Sequence, residues 1–106
     1  MNAQIYNKLV RDKIPQIIEQ SGKKAVVEKV TDEAYIKLLN EKLGEELKEF
    51  MESQSVEELA DLVEVIYAIL EYKKIGIEDF EAIRQSKNNK RGAFKEKLLL
   101  KEVIEE

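Results

Sequence analysis

One proline and four glycines are the only strong helix breakers in this 106-residue chain. Proline removes a backbone donor, and glycine carries the largest entropic cost of ordering, so their scarcity predicts long, uninterrupted helices. Residues Asp32–Ser53 give the clearest pattern. Ile36, Leu39, Leu43, Leu47 and Phe50 recur at three- and four-residue steps, which lays one apolar stripe along a helix. Gly44 costs such a helix about 1 kcal/mol relative to alanine, and close approach of another helix is the expected reason for it. Ser55–Lys73 is a second long helix. Its body, Leu59 to Leu70, is apolar on nearly every side, as in a helix buried in a core or an interface.

The other elements are shorter. Asp12–Gln20 reads as a short helix capped by Asp12, with Pro15 in the first turn and Ser21-Gly22 ending it. Glu78–Lys90 reads as a third long pattern with Phe80 and Ile83 inward, set between Gly76 and Gly92. Ala25–Val30 carries the β-branched Val26, Val27 and Val30 and reads as a strand. The tail Phe94–Val103, with Leu98-Leu99-Leu100, reads as a strand pairing with it, a last helix being the alternative. The expected fold class is therefore mainly all-α, with one short pair of β-strands. Residues 1–106 read as a single domain without repeats or linker.

A domain this small buries only about two-thirds of the surface its unfolded chain exposes, so a subunit interface is expected to add buried area. The net charge of −4 argues against a stable nucleic-acid partner. The opening residues lack the apolar stretch of a signal peptide, and Leu59–Leu70 is too short and too charged to span a membrane. The absence of cysteine fits a reducing cytoplasmic setting.

Histidine is absent as well. That excludes a Ser-His-Asp triad, an imidazole proton shuttle, a thiolate nucleophile and any zinc site built on His or Cys. Chemistry here falls to carboxylates, Lys, Arg, Tyr and a hard, oxygen-seeking metal ion.

Two acidic groups fit that restriction. Glu45-Glu46-Leu47-Lys48-Glu49 lies on the first long helix, and Glu57-Glu58-Leu59-Ala60-Asp61 on the second, with Glu64 a turn further on. At about 100° per residue Glu46 falls at the edge of the apolar stripe, and Glu49 projects to the same side. Glu58 and Asp61 repeat the three-residue spacing. Asp61 and Glu64 are the only charges between Leu59 and Leu70, and an ionised carboxylate on a buried helix is costly unless paired or bound to metal. Two antiparallel helices joined by a short turn bring both pairs together, and like charges so close require something positive among them. A divalent cation meets that need; Lys42 and Lys48 are the competing answer. Ser55-Val56-Glu57-Glu58 also has the form of a capping box, which gives Glu58 a structural role. Glu45 and Glu49 equally suit a solvated face paired with lysines.

The pattern Glu45-Glu46-x-x-Glu49 followed by Glu58-x-x-Asp61 resembles the signature of the all-α nucleoside triphosphate pyrophosphohydrolases, the superfamily of MazG, the dimeric dUTPases and phosphoribosyl-ATP pyrophosphohydrolase. The opening Tyr6-Asn7-Lys8-Leu9-Val10-Arg11-Asp12-Lys13-Ile14-Pro15 and the ending Lys90-Arg91-Gly92-Ala93-Phe94 look more narrowly like its small MazG-like house-cleaning subgroup. The resemblance implies a MazG-like helical bundle completed by oligomerisation as a homodimer or homotetramer. It implies Mg²⁺, or Mn²⁺, held by Glu46, Glu49, Glu58 and Asp61. The implied reaction is hydrolysis of a surplus or damaged nucleoside triphosphate between its α and β phosphates, with phosphoribosyl-ATP hydrolysis and a non-catalytic interaction protein as the alternatives.

In that setting Glu45 or Glu49 is the expected catalytic carboxylate that orients or deprotonates the attacking water. Lys87, Lys90 and Arg91, with Lys8, Arg11 and Lys13 at the amino end, are the expected substrate-binding residues for the phosphates. Near helix ends, Lys and Arg also simply complement the dipole. Tyr6 and Tyr67 are candidates to stack on a base. Only eight residues, Phe50–Glu57, separate Glu49 from Glu58, fewer than is usual in that superfamily. The helices near the motif are therefore open to trimming, and either Glu57 or Glu58 to facing the metal.

Overall fold

The computed structural model describes residues 2–105 and is all-helical, with no strand among them. Four helices follow one another: α1 (Ile14–Gln20), α2 (Asp32–Ser53), α3 (Val56–Tyr72) and α4 (Ile77–Arg91). The chain divides into two compact units, one ending at Lys74 and the other beginning at Ile75.

The first unit is built on the pairing of α2 with α3. Thr31 starts α2 in an extended conformation, its hydroxyl accepting from the Ala34 N–H at 3.2 Å. Gln54 ends α2 in the left-handed region (φ 58°), and its N–H donates to the Phe50 carbonyl at 2.7 Å. Ser55 caps α3 at once, its hydroxyl accepting from the Glu57 N–H at 3.2 Å. Only Gln54 and Ser55 lie between the helices, so the short connection trims neither near the acidic motif. The two helices run antiparallel. At the open end the Tyr35 and Tyr72 rings meet edge to face, centroids 6.2 Å apart, while Glu46 meets Glu58 and Asp61 toward the turn.

The seam between them is narrow. Leu39, Val65 and Leu70 are its buried apolar residues. Of the predicted α2 stripe, Ile36, Leu43 and Phe50 are half-buried, but Leu47 is 50% exposed and Glu46, at 6%, takes the inward position. A single partner helix covers positions spaced about 3.5 residues apart, and Leu47 lies about 100° beyond Glu46, outside that contact. On α3 the face opposite the seam leaves Val56, Leu59, Val63 and Tyr67 exposed.

Several expectations are corrected. Gly44 is exposed, and a Cβ built there meets nothing within 4 Å, so no other helix of its own unit approaches it. Asp12 does not cap α1. The cap position is Lys13, without a side-chain bond, while Pro15 stands in the first turn as expected and Gly22 turns the chain at φ 91°. Ala25–Val30 forms no strand. Val26 and Val27 are 88% and 62% exposed, and β-branched residues gain little from an extended backbone that no partner strand pairs with.

In the second unit α4 begins at Gly76, with Glu78 and Asp79 in its first turn and Lys90 and Arg91 in its last, both complementary to the helix dipole. Phe80 is half-buried, but Ile83 is exposed rather than inward. The tail after Gly92 is neither strand nor helix, and Leu98, Leu99 and Leu100 are exposed. No helix among the described residues is long and apolar enough to cross a membrane.

Candidate metal centre

Glu46, Glu58 and Asp61 each offer a carboxylate oxygen, and these oxygens lie within 4.8 Å of one another. Glu46 comes from the inward face of α2, where the seam would otherwise take a leucine. Glu58 and Asp61 come from the first turns of α3. Glu49, one turn after Glu46, approaches both Glu46 and Glu58 closely enough to raise their pKa values. Three of the four expected ligands, Glu46, Glu58 and Asp61, thus converge at the turn end of the helix pair, with Glu49 beside them. Glu57 and Glu64 are exposed and lie outside the group.

Electrostatics mark the cluster as under-neutralised. The Glu46 carboxyl is held above the ordinary carboxylate range, first by burial, then by the neighbouring Glu49 carboxyl and by the charge of Asp61, with Lys42 pulling the other way. Glu58 is raised too, by desolvation first and then by Glu49 and Asp61. Lys42 stands 3.5 Å from Glu46 and 3.7 Å from Glu45. Lys8 reaches Glu45 at 3.2 Å, and Arg11 reaches Asp61 at 2.7 Å. Three cations therefore face five carboxylates: Glu45, Glu46, Glu49, Glu58 and Asp61. Lys48, the other lysine offered as a neutralising partner, is exposed and in no ion pair among the described residues.

The fit to a hard metal rests on one atom. Glu46 Oε2 is buried and has no hydrogen-bond partner. Leaving a buried acceptor unsatisfied costs about 1–3 kcal/mol, and more when it is charged. An all-oxygen donor set around such an atom suits hard cations such as Mg²⁺ or Mn²⁺.

The turn explains why Glu58 is available. In a capping box its carboxylate would reach back to the Ser55 N–H. Here that N–H donates to the Ser53 hydroxyl at 3.1 Å, which leaves Glu58 to the acidic group. Ser53 was not among the residues the sequence singled out. Its signal is a serine two positions before a cap serine, in the shortened connection.

Of the candidate phosphate ligands, Lys8 and Arg11 lie at the centre, paired with its acids, whereas Lys13 is the exposed cap of α1. Lys87, Lys90 and Arg91 belong to the second unit, on the exposed last turns of α4. Tyr6 is 65% and Tyr67 38% exposed. Comparison with known proteins returned nothing: no family model, curated protein or solved structure matches the chain.

Proposed function

We propose that this chain is a metal-dependent pyrophosphohydrolase that cleaves a nucleoside triphosphate between the α and β phosphates, releasing the monophosphate and pyrophosphate. Glu46, Glu49, Glu58 and Asp61 are the residues to hold Mg²⁺ or Mn²⁺. The observation that carries this reading is the buried, unpartnered Glu46 Oε2 beside Glu58 and Asp61. A carboxylate in a helix seam costs stability, and the fold has no evident use for it there. The resemblance of the acidic motif and of the amino-terminal segment to the MazG-like subgroup supplies the reaction.

A bound divalent ion supplies positive charge against the triphosphate and acidifies water. The remaining work falls to side chains. Glu49 is the better of the two candidate bases: Glu45 is held by Lys8 and Lys42, whereas Glu49 is in no ion pair among the described residues, and with one of its oxygens on the ion the other would stay open to water. It accepts the proton of the water that attacks the α phosphorus. Arg11 and Lys8, on the exposed side of the cluster, exchange their carboxylate partners for phosphate oxygens when substrate arrives. Surplus or damaged nucleotides are the substrate class this subgroup points to. The exposed α3 stripe Val56, Leu59, Val63 and Tyr67 supports assembly as a homodimer or homotetramer.

The test is incubation of the full chain with Mg²⁺ and a panel of ordinary and damaged nucleoside triphosphates, phosphoribosyl-ATP included, followed by product identification. Pyrophosphate release that Asp61→Asn abolishes, with helicity unchanged, supports the reading. Preferred turnover of phosphoribosyl-ATP moves the chain to that branch of the superfamily. No turnover of any compound overturns it and favours a helical interaction protein.

A further inference from the structure

The amino-terminal segment does more than supply cations. Lys8 ties it to Glu45 of α2 at 3.2 Å and Arg11 ties it to Asp61 of α3 at 2.7 Å. Held at these two points, residues Tyr6–Leu9 wall a cavity of about 200 Å³ against α2. Its chemistry is mixed. Its lining residues include the aromatic Tyr6, the apolar Leu9 and Leu38, and Asn7, a residue whose amide carries both a donor and an acceptor. Asn7 takes the left-handed backbone conformation (φ 50°), which asparagine adopts more readily than most residues. The cavity also shares Lys8, Lys42 and Glu45 with the ion-pair network of the acidic centre, so its contents would lie beside whatever that centre holds.

We propose that this cavity is a nucleobase site, in which the base stacks on Tyr6 and is read by the Asn7 amide. The proposal rests on the nucleotide reading above and gives it a specificity pocket. Cavities for drug-sized ligands run to roughly 300–1,000 Å³, so one of this size takes a single ring system rather than a whole nucleotide. The ribose and phosphates are left to run past Lys8 and Lys42 toward the carboxylates. An aromatic face binds any base, whereas an amide discriminates among them by its donor and acceptor pattern.

The experiment uses the full chain without metal, titrated with adenosine, guanosine, cytidine and uridine, and with ribose as the control, followed by amide chemical shifts. At least one nucleoside is expected to give saturable shifts centred on residues 6–9 and Leu38, with ribose giving none. Tyr6→Ala should weaken that binding by on the order of 10-fold, while Tyr6→Phe, which keeps the stacking face, retains it. Because Tyr6 is 65% exposed, neither variant threatens the fold. The proposal is overturned if no nucleoside gives saturable shifts, if ribose reproduces them, or if Tyr6→Ala binds as wild type does. Its failure is separable from failure of the hydrolase: pyrophosphate release without base binding removes the pocket alone, and base binding without release removes the reaction alone.

Discussion

Replacing Glu46 with leucine separates a residue kept for function from one kept for stability. The position is 6% exposed in the seam that Leu39 and Val65 help to form, and leucine is close to glutamate in volume. The substitution removes a buried charge whose Oε2 has no partner and which Glu49 and Asp61 repel. It costs the 3.5 Å pair with Lys42, but Lys42 keeps Glu45 at 3.7 Å and is not left alone. Relief of one unsatisfied buried acceptor is worth about 1–3 kcal/mol, and exchange of buried ionic groups for apolar ones of similar volume often stabilises by a similar amount. We expect metal-free Glu46→Leu to gain about 1–2 kcal/mol over wild type, a rise in Tm of roughly 4–8 °C per kcal/mol for a domain of this size. Added Mg²⁺ should raise the wild-type Tm and leave that of the variant unchanged, since only a ligand that binds the folded state stabilises it. Urea and thermal unfolding in EDTA and in excess Mg²⁺ read both effects. A metal-free variant less stable than wild type by 1 kcal/mol or more would refute the reasoning, because Glu46 would then be a net structural ion-pair partner.

Three further outcomes follow from the same geometry. The folded-state pKa of Glu46 is raised, so its contribution to stability is complete below the unfolded value of about 4.5 and is lost as pH rises through the folded value; the advantage of Glu46→Leu in EDTA should therefore be larger at pH 7 than at pH 4. Gly44→Ala should stabilise the chain by up to about 1 kcal/mol, as judged by urea unfolding, since a Cβ there meets nothing; a loss of stability that grows with protein concentration would instead put a second subunit against Gly44. Ser53→Ala leaves the Ser55 N–H without its acceptor, and Glu58 is the side chain placed to replace it through a capping box. The Mg²⁺-dependent rise in Tm should shrink in that variant, while its metal-free stability falls by less than about 1 kcal/mol.

Local periodicity made much of this legible. The limits of α2 followed from its apolar spacing, those of α3 came within a residue of the expectation, and of the acids at the three-residue steps Glu46, Glu58 and Asp61 meet between the two helices, with Glu49 beside them. Other features carried no local signal. Which residue of α2 turns inward depends on where α3 lies, so an apolar count favoured Leu47 over Glu46. The valines of Ala25–Val30 have strand propensity, but a strand forms only with a partner. The ties from Lys8 to Glu45 and from Arg11 to Asp61 span 37 and 50 residues, beyond the reach of any helical or strand period. The pocket those ties create was hidden for the same reason.

The central claim is that Glu46, Glu49, Glu58 and Asp61 form a site for a divalent ion. Titration of metal-free protein with Mn²⁺, read by the loss of the free-ion paramagnetic resonance signal, tests it most directly. A saturable site is expected, one from which Mg²⁺ displaces Mn²⁺ and which weakens as pH falls, because protons compete for the same carboxylates. Glu46→Leu and Asp61→Asn should remove the site, whereas Glu64→Gln, on an exposed acid outside the group, should leave it intact. Undiminished Mn²⁺ signal in the presence of wild-type protein, or binding equal in all three variants, would contradict it.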